Sequence, residues 1–135
     1  MHHRLLIIAL FAVLCGFGCQ KEQTASSLED TTWRLTKIIE GDATQAIPAD
    51  VEITAAFKTG QLTGNGGCND YQSAYTATDD QLSITMFFTT LAGCAQLNRA
   101  EERYFKILKA AQSWELSRKT LTVQAADASL VFKRQ

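Results

Sequence analysis

Hydrophobic and polar residues alternate along most of the chain beyond residue 30, with the period of two that is typical of strands with one buried face. Short polar turns separate the alternating segments, and connections this short join antiparallel neighbours. The inward positions of the predicted strands are Trp33, Leu35 and Ile39; Val51, Ile53, Ala55 and Phe57; Leu62 and Gly64; Tyr71, Ser73, Tyr75 and Ala77; Leu82, Ile84 and Met86; Trp114 and Leu116; Leu121 and Val123; and Leu130 or Val131 with Phe132.

One segment has a helical period instead. Asn98 is a favourable N-cap residue, and Glu101 follows three residues later, which is the spacing of a capping box. The apolar stripe of the predicted helix consists of Ala100, Tyr104, Ile107, Leu108 and Ala111, with Phe105 beside it. Its charged face is interpreted as solvated, and the alternative is a face that binds a partner.

These patterns together predict an α+β fold that is mainly antiparallel β. We expect a sheet of seven or eight strands that curls toward a barrel, with one amphipathic helix inserted before the last three strands. The helix would cover the open end of the curled sheet. A length of 135 residues allows one such domain.

The N-terminal residues predict export. Arg4 precedes an apolar run from Leu5 to Leu14, which is too short for a permanent transmembrane helix. Gly16 and Gly18 then supply the small side chains that a signal peptidase requires before Cys19. We therefore assign residues 1–18 to a signal peptide and predict lipidation of Cys19, with ordinary secretion as the alternative.

Residues 19–27 are interpreted as a lipid-anchored flexible tether, because they are polar, small and without apolar periodicity. The domain then spans residues 28–135. Gln20 is not the aspartate that retains many lipoproteins at the inner membrane, so we expect an outer-membrane anchor that faces the periplasm. A soluble periplasmic or secreted chain is the alternative.

Loss of the signal peptide removes both histidines, His2 and His3. A mature chain without histidine cannot carry a Ser-His-Asp or Cys-His catalytic arrangement or a histidine-containing metal site. The formal net charge is −1, with 13 basic and 14 acidic residues, which gives no strong field for attracting nucleic acid or an anionic membrane. We expect no nucleic-acid partner, no cofactor and no metal, and a monomeric chain.

Cys68 and Cys94 are the thiols that remain once Cys19 is acylated. In an oxidising compartment such a pair favours a structural disulfide. A redox-active pair is the alternative, but redox-active cysteines are usually closer together in sequence, as in Cys-x-x-Cys.

The glycine-rich stretch from Gly64 to Asp70 (GNGGCND) is the most unusual part of the sequence. No lysine follows where a phosphate-binding loop requires one, so a tight bend beside a disulfide is the favoured interpretation. Three oxygen-bearing side chains here are few for a Ca²⁺ site. The candidate binding residues are Asn65, Asn69, Asp70, Tyr71 and Tyr75, and Asp70 is also the best placed carboxylate for acid–base chemistry.

The chain resembles the META domain family, in particular its HslJ-like exported lipoproteins. The residues that carry the resemblance are Thr32–Leu35 (TWRL), Phe57–Gly60 (FKTG), Gly64–Asn69 (GNGGCN), Tyr71, Tyr75, Leu82, Ile84, Thr89–Cys94 (TTLAGC), Glu101, Phe105, Leu108, Trp114, Leu121 and Phe132. The chain departs from the family pattern at Ala92 and Gly93. The resemblance implies an exported domain linked with envelope or heat stress, without established catalytic activity, whose two cysteines suit a disulfide.

Three functions remain open. The first is a non-catalytic, lipid-anchored envelope domain that supports envelope integrity or stress tolerance by binding an envelope protein or a small ligand. The second is a redox-sensitive sensor of envelope stress that uses Cys68 and Cys94. The third is an enzyme based on carboxylates.

Overall fold

The computed structural model describes residues 27–94 and 98–135; the predicted signal peptide and Cys19 lie outside them. The described chain forms nine strands and one helix. Their bounds are β1 Thr31–Glu40, β2 Ala43–Ala46, β3 Thr54–Lys58, β4 Gln61–Asn65, β5 Asp70–Thr78, β6 Gln81–Thr89, α1 Asn98–Lys109, β7 Ser113–Ser117, β8 Thr120–Gln124 and β9 Ala128–Arg134.

Eight of the strands close into an antiparallel barrel. Strands β3 to β9 pair in chain order, and β1 closes the ring because it pairs with both β3 and β9. The prediction of a curled antiparallel sheet with a helix before the last three strands is confirmed. Strand β2 is additional: it pairs with the second half of β1 and all four of its residues are exposed, so no alternation marks it in the sequence.

Different segments close the two ends of the barrel. At the proximal end, where the described chain enters, Leu28 is fully buried and the Glu29 carboxylate accepts hydrogen bonds from the Thr59 N–H at 2.6 Å and from the Tyr75 hydroxyl. At the opposite end, the helix end, the Tyr104 side chain of α1 is fully buried. Arg103 of α1 also forms an ion pair with Glu40 at the end of β1.

Side chains fill the barrel interior. The largest of them, each no more than 2% exposed, are Trp33, Trp114, Tyr104, Phe57 and Phe132. Burial of such large side chains contributes about 1.5–3 kcal/mol each to folding. The predicted inward residues thus form one contiguous core, except at two irregularities in the strands.

The first irregularity corrects the prediction for Ile39. The pairing of β1 with β9 shifts register between Leu35 and Lys37, so one residue is inserted and the inward face passes to Ile38. Ile38 is fully buried, whereas Ile39 is half-buried. The strict alternation that we expected through Ile39 is therefore wrong beyond Leu35.

The second irregularity corrects the prediction for Met86. The pairing of β5 with β6 shifts register between Gln72 and Ala74, and Met86 has a φ of 49°. This bulge turns Phe87 inward, where its ring stacks on Tyr71 at 5.3 Å between centroids. Met86 is 68% exposed, so its predicted inward position is wrong.

Among the described residues, no helix is both long and apolar enough to cross a membrane.

Candidate functional site at the glycine bend

The glycine-rich stretch forms a tight bend between β4 and β5 at the helix end of the barrel. The Gly66 N–H donates to the Asn69 carbonyl at 2.8 Å, and the Gly67 N–H donates to the Asn65 side-chain oxygen at 2.7 Å. Gly67 has a φ of 109°, which side-chain-bearing residues rarely adopt. A Cβ on Gly66 would lie 2.5 Å from the Phe105 ring, so the bend can approach α1 this closely only with glycine.

Glu101 of α1 holds this bend from the other side. Its Oε2 accepts hydrogen bonds from the N–H groups of Cys68 at 3.1 Å and Asn69 at 2.6 Å, and its Oε1 accepts one from Asn69 Nδ2 at 2.6 Å. The capping box that the sequence predicts joins Glu101 to Asn98, whose side chain lies outside the part of the chain that the structure describes. The capping-box spacing distinguishes Glu101 from the exposed Glu102 but points to the helix start, so sequence reasoning did not find the contact with the bend.

Asn69 extends the same network to the segment after β6. Its Oδ1 accepts hydrogen bonds from the Thr90 hydroxyl at 2.8 Å and the Ala92 N–H at 2.6 Å. The Cys68–Cys94 disulfide joins the same two segments, with a Cα–Cα distance of 5.9 Å. Asn69 is 7% exposed, and both the nitrogen and the oxygen of its side-chain amide are hydrogen-bonded within the fold. It therefore holds the bend and the segment after β6 in place and does not face a ligand.

Tyr71 is also internal. Its hydroxyl donates to the Thr54 carbonyl at 2.8 Å and lies 2.7 Å from the Tyr104 hydroxyl. Burial raises the pKa of Tyr71, and the hydrogen bond with Tyr104 lowers it by less. Burial likewise raises the pKa of Tyr104, and the neighbouring Tyr71 adds to the increase.

Tyr75 lies at the other end of the barrel and is not part of the bend. Its hydroxyl donates to the Glu29 carboxylate. Burial and then this hydrogen bond raise the pKa of Tyr75, and the same hydrogen bond lowers the pKa of Glu29. The structure therefore does not bring the five candidate binding residues together.

Asn65 and Asp70 are the two candidates that reach solvent. Asn65 Nδ2 donates to Asp70 Oδ1 at 2.9 Å, and Asp70 is exposed. Within residues 27–94 and 98–135, no group of three or more histidine, cysteine or acidic side chains is arranged to hold a metal ion.

An exposed apolar surface lies beside the bend, and sequence reasoning missed it. Met86, Phe88 and Leu91 are 68%, 68% and 95% exposed, and we call them the apolar patch. Phe88 borders a shallow depression of about 290 Å³ in the barrel wall, which Thr63, Asp70, Gln72 and Thr90 also line. The sequence carries a signal for this surface, because Phe87 and Phe88 are adjacent and cannot both face the interior of one strand.

The META domain family model matches residues 26–135, which contain the whole barrel, the bend and the helix. The chain belongs to the META domain family. This finding agrees with the resemblance carried by the bend and by the segment around Cys94. No curated protein matches the chain.

Solved structures share the fold of this META domain. The NMR structure of a protein from Burkholderia xenovorans is similar over 100% of this chain and 97% of its own, with a TM-score of 0.73 and 21% identity. The crystal structure of a duf4847 family protein from Bacteroides vulgatus covers 78% of this chain and 93% of its own, with a TM-score of 0.57 and 16% identity. An uncharacterized protein from Bacteroides eggerthii matches with a TM-score of 0.52 and 17% identity, over 78% of this chain and 98% of its own.

Proposed function

We propose that this META domain is a non-catalytic, lipid-anchored domain of the cell envelope that binds an envelope protein through the apolar patch. The observation that carries the proposal is the position of the patch. Within the described residues, the exposed large hydrophobic side chains are Met86, Phe88 and Leu91, and all three lie within six residues of one another.

The bulge in β6 is what exposes Met86 and Phe88 to solvent. Without it, the alternation that buries Leu82 and Ile84 would also turn Met86 and Phe88 inward and leave Phe87 outside. The bulge instead buries part of one large side chain and exposes two. A fold that departs from its own hydrophobic pattern in this way usually does so at a functional surface.

The end of the barrel that carries the patch favours a protein over the anchoring bilayer as its partner. The chain enters at Leu28 at the proximal end, while Leu91 follows β6 at the helix end. Strands β5 and β6 have nine residues each, which corresponds to a length of about 30 Å. A lipid on Cys19 would therefore attach the chain to the membrane at the end of the barrel opposite to the end that carries the patch.

The interior of the barrel argues against a small apolar ligand inside it. Trp33, Trp114 and Tyr104 are among the fully buried side chains that fill the space where such a ligand would lie. A carboxylate-based reaction also lacks support at the bend. Asp70 is exposed and bonded to Asn65, and the buried Glu101 carboxylate accepts three hydrogen bonds from the bend itself.

A redox-sensitive variant is the second candidate. Cys94 lies three residues after Leu91, so the disulfide to Cys68 attaches the end of the apolar patch to the barrel. Both cysteines are half-buried, which gives a reductant partial access. On this alternative, reduction would release the segment and change partner binding.

Photo-crosslinking in intact cells tests the proposal. We would place a photoreactive amino acid at Phe88 and, as the control, at Ser117, an exposed residue at the proximal end of the barrel. We expect a discrete protein adduct from position 88 that disappears in a Met86→Ser/Leu91→Ser background, and none from position 117. Equal adducts from both positions, or none from position 88, would contradict the proposal. Loss of the position 88 adduct on reduction alone would favour the redox-sensitive variant.

A further inference from the structure

A group of exposed basic side chains lies around part of the proximal end of the barrel. It consists of Lys58, Arg118, Lys119, Lys133 and Arg134, which we call the basic rim. These are five of the eleven lysines and arginines that follow Leu28. The domain as a whole has no excess of positive charge, so this is a local concentration.

The pairing of the strands makes the basic rim continuous. Lys133 pairs with Thr120 and its ammonium donates to the Thr120 hydroxyl at 2.8 Å, while the Arg134 N–H donates to the Lys119 carbonyl at 3.0 Å. Arg134 in turn pairs with Trp33 and its guanidinium lies 5.6 Å from the centre of the Trp33 ring.

The basic rim continues to β3 on the other side of β1. Thr31 pairs with Phe57, the residue before Lys58. The rim therefore follows four neighbouring strand ends, from the β7–β8 turn through β9 and β1 to β3. Glu29 and Asp30 lie beside this arc, and the Glu29 carboxylate is bonded to Thr59 and Tyr75.

The remaining acidic groups of this half of the barrel lie elsewhere. Asp79, Asp80 and Glu115 line a separate depression beside Trp114. At the proximal end, the basic rim thus lies on the β8–β9–β1–β3 side with Glu29 and Asp30 beside it, whereas Asp79, Asp80 and Glu115 lie together where β5, β6 and β7 meet.

We propose that the basic rim rests on the anionic headgroups of the membrane that anchors the chain. This inference depends on the proposed lipid at Cys19. The nine residues from Cys19 to Ser27 reach at most about 30 Å when fully extended, and they join the barrel at Leu28, on the same end as the rim. The anchor thereby holds five basic side chains close to a surface of opposite charge.

Protection of lysines from an amine-reactive label tests this contact on the mature lipoprotein in vesicles. We would compare neutral phosphatidylcholine vesicles with vesicles that contain 30% phosphatidylglycerol, and measure each lysine by mass spectrometry. We expect Lys58, Lys119 and Lys133 to label at least threefold more slowly on the anionic vesicles, and 0.5 M NaCl to remove the difference. Lys37 and Lys106, which are exposed on the barrel wall and on α1, serve as internal controls. Equal labelling of all five lysines on both kinds of vesicle would overturn the proposal.

A pair of charge variants tests whether the basic rim itself faces the membrane or the chain is only attached there by its lipid. Lys119→Glu/Lys133→Glu should abolish the protection of Lys58, whereas Lys37→Glu/Lys106→Glu should leave it unchanged. Protection of Lys58 that survives the first variant would also overturn the proposal. The intact mass of the same sample shows which of the two proposals fails. A lipidated chain with unprotected lysines refutes only the contact between the basic rim and the headgroups. An unlipidated chain refutes the lipid anchor at Cys19.

Discussion

Asn69 and Glu101 lie 32 residues apart in the chain and are joined by two hydrogen bonds of 2.6 Å each. One runs from the Asn69 backbone N–H and the other from its side-chain amide, so both carboxylate oxygens of Glu101 are used. Through this pair, α1 and the glycine bend fix each other. The same asparagine reaches Thr90 and Ala92, next to the apolar patch, so the patch is presented on an ordered support.

Replacement of Glu101 should destabilise the fold. In Glu101→Gln one acceptor oxygen becomes an NH₂ group that faces N–H donors, and the site is 6% exposed. Since hydrogen bonds to a charged group contribute about 1.5–3 kcal/mol each, we expect the free energy of unfolding in urea to fall by about 2–3 kcal/mol. Glu102→Gln, one residue further along and exposed, should change it by less than about 0.5 kcal/mol. Equal effects of the two substitutions would contradict the role of Glu101.

Gly66 should tolerate no side chain. In Gly66→Ala the new Cβ would lie 2.5 Å from Phe105 Cζ and 2.8 Å from Glu101 Oε2, so α1 and the bend would have to separate. We expect a loss of about 1–3 kcal/mol in the free energy of unfolding, as for other overpacked sites. Gly93→Ala is the matched control, because its new methyl group would have nothing within 4 Å and the φ of Gly93 is not in the left-handed region. A Gly66→Ala variant as stable as Gly93→Ala would show that the bend and α1 are not in contact.

The barrel could be predicted from the sequence because its strands are short, alternate regularly and follow one another in chain order. The predictions for Met86 and Ile39 are wrong for one shared reason: a bulge depends on how two strands pair, and the residues of one strand do not reveal it. The contact between Glu101 and the bend is equally hidden, since it joins an ordinary helix start to a loop 32 residues earlier. Strand β2 carries no hydrophobic alternation, because all of its residues are exposed.

Phe87 and Phe88 should respond in opposite ways to substitution. The Phe87 ring packs on Tyr71 and lies 5.1 Å from the Phe105 ring, whereas Phe88 is 68% exposed. Phe87→Ser should therefore lower the free energy of unfolding by about 2 kcal/mol or more, and Phe88→Ser should change it by less than about 0.5 kcal/mol. Urea denaturation of both variants checks this. The reverse order would mean that the bulge at Met86 is absent.

The tyrosines predict how stability depends on alkaline pH. The chain contains three, Tyr71, Tyr75 and Tyr104, and the pKa of each is raised in the folded state above the value of about 10 that holds when it is unfolded. The folded protein therefore binds these protons more tightly. The resulting stability is fully present below pH 10 and is lost as the pH rises above it.

Absorbance at 295 nm, which reports tyrosinate, measures this directly. We expect little tyrosinate signal from the folded protein near pH 10.5, and a cooperative rise that coincides with loss of β-structure in circular dichroism at higher pH. Tyr75→Phe is the control, because it leaves the buried Tyr71–Tyr104 pair in place. Gradual titration of all three tyrosines near pH 10 in a protein that stays folded would contradict their burial.

The most direct test of the proposed anchored domain is the intact mass of the protein extracted from the membrane, with and without reduction before alkylation. We predict a chain that begins at Cys19 and carries a lipid, that takes up no alkylating agent before reduction, and that takes up two equivalents afterwards at Cys68 and Cys94. A soluble chain without lipid would contradict the anchor. Two alkylated thiols before reduction would contradict the disulfide that supports the bend.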